Sequence, residues 1–185
     1  MTTKQNSTMK ITAFAATNST QSINLALVKS ALPNLEGHDI QILDLNDYEM
    51  PIYSPERNQV GIPAEALAFN QILKDSDALI IGLAEHNGTF STAFKNIFDW
   101  GSRADKALFQ QKPMLLLSTS PGPRGGQFVM ESAKNIFPFF GGNIQAHFSL
   151  PNFQDNFKEG MIVNDALQLE FEARINDFKS ILHQN

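Results

Sequence analysis

Short runs of apolar residues alternate along the chain with longer segments in which apolar residues recur every three or four positions. Apolar runs of this length, bounded by polar turns, are typical of strands that are buried on both faces. The recurring pattern of the longer segments is typical of helices with one buried face. Five strands are therefore predicted, at residues 10–16, 38–44, 78–83, 112–118 and 143–148.

Strands that alternate with helices predict an α/β fold, in which five βα units build one parallel sheet with helices on both faces. Because crossovers are right-handed, we expect the doubly wound strand order 2-1-3-4-5. A long loop at residues 44–62 is expected to be functional or covered by a partner. Residues 153–162 form a connection with no assigned role, and the helices are expected at residues 23–32, 63–75, 91–100, 127–140 and 167–182.

Polar loops follow the first, third and fourth strands, so they meet at the carboxyl edge of the predicted sheet. In the order 2-1-3-4-5 all three loops lie beside the switch point, where open α/β sheets bind their ligands. Their convergence predicts a ligand that carries both a phosphate and an aromatic ring.

The first of these loops, residues 17–22, consists of six small polar residues and opens a helix. Its hydroxyls, the backbone N–H groups of the first helical turn and the helix dipole all favour a phosphate. Ordinary N-capping by Ser and Thr accounts for the same residues. Both interpretations stay open at this point.

The loop after the third strand brings a carboxylate, an imidazole, an amide, a glycine and a hydroxyl together at residues 85–89. Gly88 has no Cβ and lets the backbone approach a flat ligand, so we predict that this loop lies against an aromatic cofactor. In the following helix, Lys95 and Asp99 have the spacing of a weak surface ion pair. Trp100 is expected in the core or at a subunit interface.

The composition fits one cytoplasmic domain. The chain has 185 residues, 42% of them hydrophobic, and a net charge of −5, which disfavours nucleic acid as its main partner. It contains no cysteine, which excludes disulfides and thiol chemistry, and no apolar run long enough to span a membrane. We expect residues 1–9 to form a flexible tail without a secretion signal, and residues 10–185 to form the single domain.

Motifs that would give the chain its own reactive group are missing. There is no G-x-G-x-x-G after the first strand, no G-x-x-x-x-G-K-[ST] and no G-x-S-x-G. His86 alone among the histidines lies in a polar loop, where packing is favoured over general-base work. A cradle without a reactive group is typical of proteins whose cofactor does the chemistry. No metal site is expected, because the histidines lack carboxylates at ligand spacing: His38, His86, His147 and His183.

Three motifs resemble those of the NAD(P)H-dependent FMN reductases, flavodoxin-like flavoproteins that include quinone, azo-dye and chromate reductases. Residues 16–24 are similar to the family's phosphate loop, G-S-x-R-x-x-S-x-N, and residues 84–100 to its P-E-Y-N-G-S…L-K-N-x-x-D-W. Residues 118–126 are similar to its S-x-S-P-G-x-x-G-G turn, and residues 44–53 to its loop after the second strand. The resemblance implies a flavodoxin-like fold.

The resemblance also implies an FMN site built from the three loops. The first loop would surround the phosphate, residues 85–89 would border the isoalloxazine ring, and residues 118–126 would line its other side. The cofactor-binding residues implied in this way are Thr17, Ser19, Ser22, Asn24, Glu85, His86, Asn87, Gly88, Thr89, Ser118, Ser120, Pro121, Gly122, Gly125 and Gly126.

The activity implied by the resemblance is that of an FMN-dependent NAD(P)H oxidoreductase without a catalytic side chain of its own. NADPH or NADH would reduce the bound FMN, which would then reduce a quinone, free flavin or similar acceptor in a ping-pong cycle. Family members commonly form homodimers or homotetramers. The helix after Thr89 and the Phe137–Phe140 run are therefore interface candidates, although plain core explains the Phe run equally well.

Several residues depart from the family pattern. Ser19 stands where the family usually has Arg, which removes a charge-assisted contact to the phosphate. Weaker FMN binding, or compensation by Arg124 or another chain, stays open. His86 replaces a Tyr, while Ala84 and Ser91 replace prolines. The alternatives to an enzyme are a flavodoxin-like electron carrier, which the modest acidity disfavours, and a degenerate member with weak or no flavin binding, which residues 85–88 disfavour.

Overall fold

A computed structural model describes residues 8–182. Five strands form one parallel sheet in the order β2-β1-β3-β6-β7, and the short strands pair as two antiparallel hairpins, β4-β5 and β8-β9. The five sheet strands correspond to the predicted strands, so the order 2-1-3-4-5 is confirmed. The strands are β1 (Lys10–Ala15), β2 (Asp39–Leu43), β3 (Ala78–Leu83), β4 (Glu85–His86), β5 (Thr89–Phe90), β6 (Pro113–Thr119), β7 (Asn143–Leu150), β8 (Phe157–Lys158) and β9 (Met161–Ile162).

Seven α-helices and three 3₁₀ turns connect these strands in the described part of the chain. No helix among residues 8–182 is long and apolar enough to cross a membrane. The 3₁₀ turns lie at Leu32–Leu35, Leu45–Tyr48 and Phe137–Phe140. The helices are α1 (Ile23–Ala31), α2 (Pro55–Val60), α3 (Ala64–Asp75), α4 (Thr92–Ala104), α5 (Gln127–Ile136), α6 (Phe153–Asn156) and α7 (Asp165–Leu182).

The sheet separates two cores, because successive side chains of a strand point to opposite faces. On one face, Ile81 packs in a cluster with the aromatic side chains of α3 and α4. On the other face, Ile80 packs with the apolar stripes of α1 and α7. All six residues of β3 are buried, which explains why the sequence shows a continuous apolar run there.

The segment at residues 44–62 differs from the predicted loop, because it contains the Leu45–Tyr48 turn and helix α2. Helix α2 has no buried residue, so its sequence lacks the apolar stripe that identifies a helix. Hydrogen bonds from α4 hold the segment in place. Asn96 accepts a hydrogen bond from Tyr53 N at 2.8 Å and donates to the carbonyls of Met50 and Pro51, both at 3.2 Å.

Other boundaries follow from single residues. Helix α5 ends at Ile136 rather than continuing to residue 140, because Pro138 lacks the N–H that an α-helix needs and the chain continues as a 3₁₀ turn.

The connection at residues 153–162 is helix α6 followed by the β8-β9 hairpin. Met9, assigned to the tail, accepts a hydrogen bond from Asp39 N at 2.8 Å. Residues 1–7 and His183 lie outside the described residues.

The aromatic side chains divide between core and surface. Trp100 is buried, and its indole N–H donates to the Pro51 carbonyl at 2.7 Å, which fixes Trp100 as a core residue of this chain. Phe137 is fully buried, whereas Phe139 is 77% exposed, so the Phe137–Phe140 run serves the core only in part. Lys95 and Asp99 form the predicted surface pair at 2.7 Å.

Candidate functional site

The first loop, residues 17–22, joins β1 to α1 and ends in an N-cap. Ser22 Oγ accepts a hydrogen bond from Leu25 N at 3.1 Å, so the capping interpretation is correct for this residue. Thr17 Oγ1 accepts from Ser19 N at 3.2 Å. Both hydroxyls still have a proton to donate. Together with Ser19 and Thr20 they line a hollow of about 270 Å³, which we call the first-loop hollow.

Asn24 lies behind the first loop rather than on it. Its side chain is 4% exposed, and its amide binds the Thr119 backbone twice. Nδ2 donates to Thr119 O at 3.2 Å, and Oδ1 accepts from Thr119 N at 2.8 Å. Its amide is therefore directed at the end of β6, where it positions the first loop against the third.

The loop after β3 is a short β-hairpin with a two-residue turn, which the sequence analysis did not predict. Glu85 pairs with Phe90 and His86 with Thr89, and the turn between them is Asn87–Gly88. Both turn residues have positive φ, 51° and 79°, as a type I′ turn requires. The Asn-Gly pair is a strong hairpin signal and could have revealed the turn from sequence. The observed reason for Gly88 is thus its backbone conformation.

The two side chains of β4 have different environments. Glu85 Oε2 accepts a hydrogen bond from Val129 N at 3.1 Å, in the first turn of α5. The N-cap of α5 is Gly126, which has no side chain, so Glu85 supplies the cap from another loop. The imidazole of His86 is exposed and borders a separate cavity of about 580 Å³, which we call the outer cavity.

The outer cavity lies between the first loop, the segment after β2 and the start of α4. Asn18, Tyr48, Glu49, Thr92 and Asn96 contribute its polar lining. Burial, followed by the nearby Asp47 carboxylate, raises the pKa of Tyr48 above its ordinary value. The sequence analysis marked this segment as a family loop but named none of its side chains as site residues, because they reach the cavity through tertiary contacts with α4.

The third loop, residues 118–126, is a compact turn whose serine and glycines hold its shape. Ser118 is fully buried, and its hydroxyl donates to Gly125 O at 2.8 Å. Gly125 and Gly126 have φ of 58° and 82°, and a Cβ on Gly125 would lie 2.7 Å from the Leu150 backbone. Ser120, Pro121 and Gly122 lie nearer the surface, where Ser120 Oγ donates to Gly122 O at 3.3 Å.

Direct hydrogen bonds hold the three loops together at the carboxyl edge. Ser91 Oγ, at the start of α4, donates to Ala16 O at 2.7 Å, and Ala16 N donates to Gly82 O at 2.7 Å.

Arg124 is not part of the first-loop hollow. Its guanidinium lies 4.7 Å from the centroid of the Phe128 ring and borders a separate depression with His147.

Potential metal ligands are scattered in the described part of the chain. Across residues 8–182, no group of three or more His, Asp or Glu side chains is arranged to hold a metal ion. The site offers hydroxyls, side-chain amides, the carboxylates of Asp44 and Glu49 and one exposed imidazole. These groups surround two adjoining openings that share the residue Leu45.

Comparison with known proteins identifies the family. The sequence model of the family described as NADPH-dependent FMN reductase matches residues 9–155. The chain belongs to this family. The matched region contains all three loops and every implied cofactor-binding residue.

Relatives and solved structures agree with this membership. An NAD(P)H-dependent FMN reductase of Pseudomonas aeruginosa is 26% identical over 118 residues, which is 63% of each protein. A 2-hydroxy-1,4-benzoquinone reductase of a Burkholderia species is 30% identical over 57% of this chain and 58% of its own length. These alignments therefore span less than two thirds of either relative.

The fold is shared more widely than the sequence. A flavoenzyme NAD(P)H:(acceptor) oxidoreductase from Paracoccus denitrificans superposes with a TM-score of 0.72 at 20% identity, covering 93% of this chain and 98% of that chain. An NADH:FMN oxidoreductase structure reaches 0.73 at 18% identity, covering 96% and 92%. At these identities the superpositions establish the flavodoxin-like fold.

Proposed function

We propose that this protein is an FMN-dependent NAD(P)H oxidoreductase that reduces a quinone, free flavin or similar small acceptor. The observation that carries the proposal is the placement of the first two family loops around adjoining openings at the carboxyl edge of the sheet. The third loop lies beside them, because Asn24 binds the Thr119 backbone. The names of the relatives, an FMN reductase and a benzoquinone reductase, support the same class of reaction.

The residues at the edge provide an opening of suitable size and the hydrogen-bonding groups that an FMN would use. The outer cavity, at about 580 Å³, has the size of a small-molecule site, and the hydroxyls of the first loop lie beside it. The first loop would hold the phosphate, the β4-β5 hairpin would border the flavin ring, and residues 118–126 would close the other side. A bound FMN would supply the redox chemistry, namely hydride transfer from NADPH or NADH and reduction of the acceptor.

The chain's own contribution is positioning. Glu85 ties the hairpin to α5, and Ser91 ties the start of α4 to the end of β1, so the loops are held before a ligand arrives. His86 is the exposed imidazole beside the outer cavity, where it is placed to contact an incoming substrate. One open cavity serving nucleotide and acceptor in turn is consistent with a ping-pong cycle.

We also propose a cytoplasmic homodimer or homotetramer. Several large apolar side chains are exposed: Ile52 is 68% exposed, Val60 91% and Phe139 77%. Ile52 lines a cavity with residues of α4, and Val60 lines a depression with Trp100. Exposed apolar side chains are a frequent feature of subunit interfaces. Gel filtration with light scattering measures the assembly, and a monomer at micromolar concentration would contradict this part of the proposal.

The first test is the visible spectrum of the purified protein, before and after addition of FMN and removal of free flavin. Retained oxidised-flavin bands support the cradle. Anaerobic stopped-flow mixing with NADPH or NADH should then bleach those bands, with free FMN and the same nucleotide as the control. Bound flavin that neither nucleotide bleaches would favour the electron carrier, and a protein that takes up no flavin would favour the degenerate member.

A further inference from the structure

The peptide bond between Asn18 and Ser19 has a fixed orientation in the first loop. Its carbonyl points to the segment after β2, because Asn46 Nδ2 donates to Asn18 O at 3.2 Å. Its N–H points the other way, because Ser19 N donates to Thr17 Oγ1 at 3.2 Å. The C=O and N–H of a trans peptide lie in one plane and on opposite sides of the chain, so one orientation of this plane serves both hydrogen bonds.

The side-chain amide of Asn46 is directed at the first loop by its own turn. Asp44 is the N-cap of the Leu45–Tyr48 turn, and its Oδ1 accepts from Asn46 N at 2.9 Å. The same oxygen accepts from Asn46 Nδ2 at 2.7 Å, so one of the two amide protons is held there. The other proton is thereby directed at Asn18 O, and the turn after β2 sets the orientation of the peptide between residues 18 and 19.

The orientation of this peptide decides what the Thr17 hydroxyl can offer to a ligand. Thr17 is 6% exposed and lines the first-loop hollow. Because its oxygen accepts from Ser19 N, its proton remains available to an acceptor in the hollow. A hydroxyl that donates to an ionised phosphate makes a charge-assisted hydrogen bond, which is about twice as strong as a neutral one.

The opposite orientation of the peptide would remove this donor. Asn18 O would then lie where Ser19 N lies, facing Thr17 Oγ1, and the Thr17 hydroxyl would donate to that carbonyl instead of to the phosphate. The carbonyl would also turn its partial negative charge toward an anion, whereas anion sites are built from N–H groups. The hydrogen bond from Asn46 to Asn18 O opposes this rotation.

Asn46 has no direct contact with either opening. The described residues that line the first-loop hollow and the outer cavity do not include it, so its influence on a ligand passes through the first loop. The segment after β2 does not depend on its amide either, because Asn96 holds that segment through three hydrogen bonds of its own. Removal of the Asn46 amide therefore leaves the outer cavity in place and frees the peptide between residues 18 and 19.

We propose that Asn46 is a positioning residue for the flavin phosphate: it fixes the peptide between Asn18 and Ser19 so that the Thr17 hydroxyl donates into the first-loop hollow. The proposal rests on the proposed function, because it needs a flavin whose phosphate lies in that hollow. It deepens that function by adding a residue from the segment after β2 to the phosphate site.

The test is equilibrium titration of the flavin-free full chain with FMN and with riboflavin, monitored by the quenching of flavin fluorescence. Riboflavin lacks the phosphate and reports on the rest of the site. Asn46→Ala should weaken FMN about threefold to tenfold, the range for one hydrogen bond to a ligand, and should leave riboflavin unchanged. Equal weakening of both flavins would assign Asn46 a purely structural role, and an unchanged affinity for FMN would assign it none; either result overturns the inference.

Two further variants serve as controls for this titration. Asn34→Ala removes an exposed asparagine that lines neither opening, and it should change both dissociation constants by less than about twofold. Asn96→Ala loosens the segment after β2 from its other end, so it should affect FMN and riboflavin alike. If Asn96→Ala weakens FMN selectively to the same extent as Asn46→Ala, general loosening of the segment is the cause and the inference is wrong.

A double-mutant cycle tests the route through Thr17 and needs only FMN. Thr17→Val keeps the shape of the side chain and removes its hydroxyl. In the Thr17→Val background, Asn46→Ala should change the FMN dissociation constant by less than about twofold, because the hydroxyl that Asn46 positions is gone. The same loss in both backgrounds would overturn the inference and leave the proposed function standing. A wild-type chain that binds neither flavin would refute the proposed function, and the inference would fall with it.

Discussion

The side-chain amide of Asn24 binds both the N–H and the C=O of Thr119, at 2.8 and 3.2 Å. The first residue lies in α1 and the second at the end of β6, 95 positions later in the chain. Both residues are buried, so water does not replace these hydrogen bonds when one partner is removed. This pair sets the first loop beside the third.

We expect Asn24→Ala to lower the free energy of unfolding by about 3 kcal/mol, because two buried backbone groups lose their partner. Urea denaturation measures the change. Asn34→Ala is the matched control, since Asn34 is exposed and donates one long hydrogen bond of 3.4 Å to Ala31 O. Its cost should stay below about 0.5 kcal/mol. Equal losses of unfolding free energy in the two variants would show that the Asn24 contact stabilises the fold no more than an exposed hydrogen bond does.

Gly88→Ala tests the hairpin turn. The φ of 79° disfavours any Cβ, although the nearest atom to a Cβ would be Phe128 Cδ2 at 3.9 Å, so we expect a loss of about 1 kcal/mol from backbone strain alone. Gly160→Ala, at φ 84° with open space around it in the β8-β9 hairpin, should cost the same. Thermal unfolding measures both. Only Gly88→Ala should also weaken FMN uptake. An equal loss of uptake in Gly160→Ala would contradict the proposal that the β4-β5 hairpin borders the flavin.

Asn96 fixes the segment at residues 44–62 through three hydrogen bonds, so Asn96→Ala should release it. Cleavage by trypsin after Arg57, within that segment, is expected to accelerate by about tenfold or more, because local opening becomes easier. Asn143→Ala, near the amino end of β7, serves as the control. Mass spectrometry identifies the fragments, and an unchanged cleavage rate in Asn96→Ala would refute this role.

Tyr48 should ionise above the ordinary tyrosine range, because burial and then Asp47 raise its pKa. The chain has two tyrosines, so Tyr53→Phe leaves Tyr48 as the only phenol in an absorbance titration. Asp47→Asn should lower the midpoint only in part, since burial is the larger cause. Because the pKa of Tyr48 is higher in the folded than in the unfolded protein, ionisation of this phenol lowers the free energy of unfolding. The contribution of Tyr48 to stability is therefore present below about pH 10 and is lost as pH rises through its folded pKa. A midpoint at the ordinary value would contradict the burial of Tyr48.

Much of the fold followed from the sequence because the fully buried strands are continuous apolar runs. Residues 78–83 were predicted as a strand and form β3 without any shift of boundary. The order of the strands was also predictable, since right-handed crossovers and the place of the polar loops leave few topologies. The hairpin at residues 85–90 was missed, although its Asn-Gly turn was readable in the sequence.

Helix α2 and the individual cavity-lining side chains of residues 45–52 were not predicted from the sequence. Helix α2 buries no residue, so no periodic pattern marks it. Tyr48 and Glu49 reach the cavity because Asn96 and Trp100 hold their segment from a distant helix.

The sequence by itself determined the strands, their order and the three polar loops, because burial patterns and turn chemistry depend on residues that are consecutive in the chain. Only the tertiary structure decided what those loops do with their side chains. It directs Asn24 to Thr119 and Glu85 to Val129, and it sets Asp44 beside the hydroxyls of the first loop. Hydrogen bonds and charges act between atoms that are close in space, and these partners lie far apart along the chain.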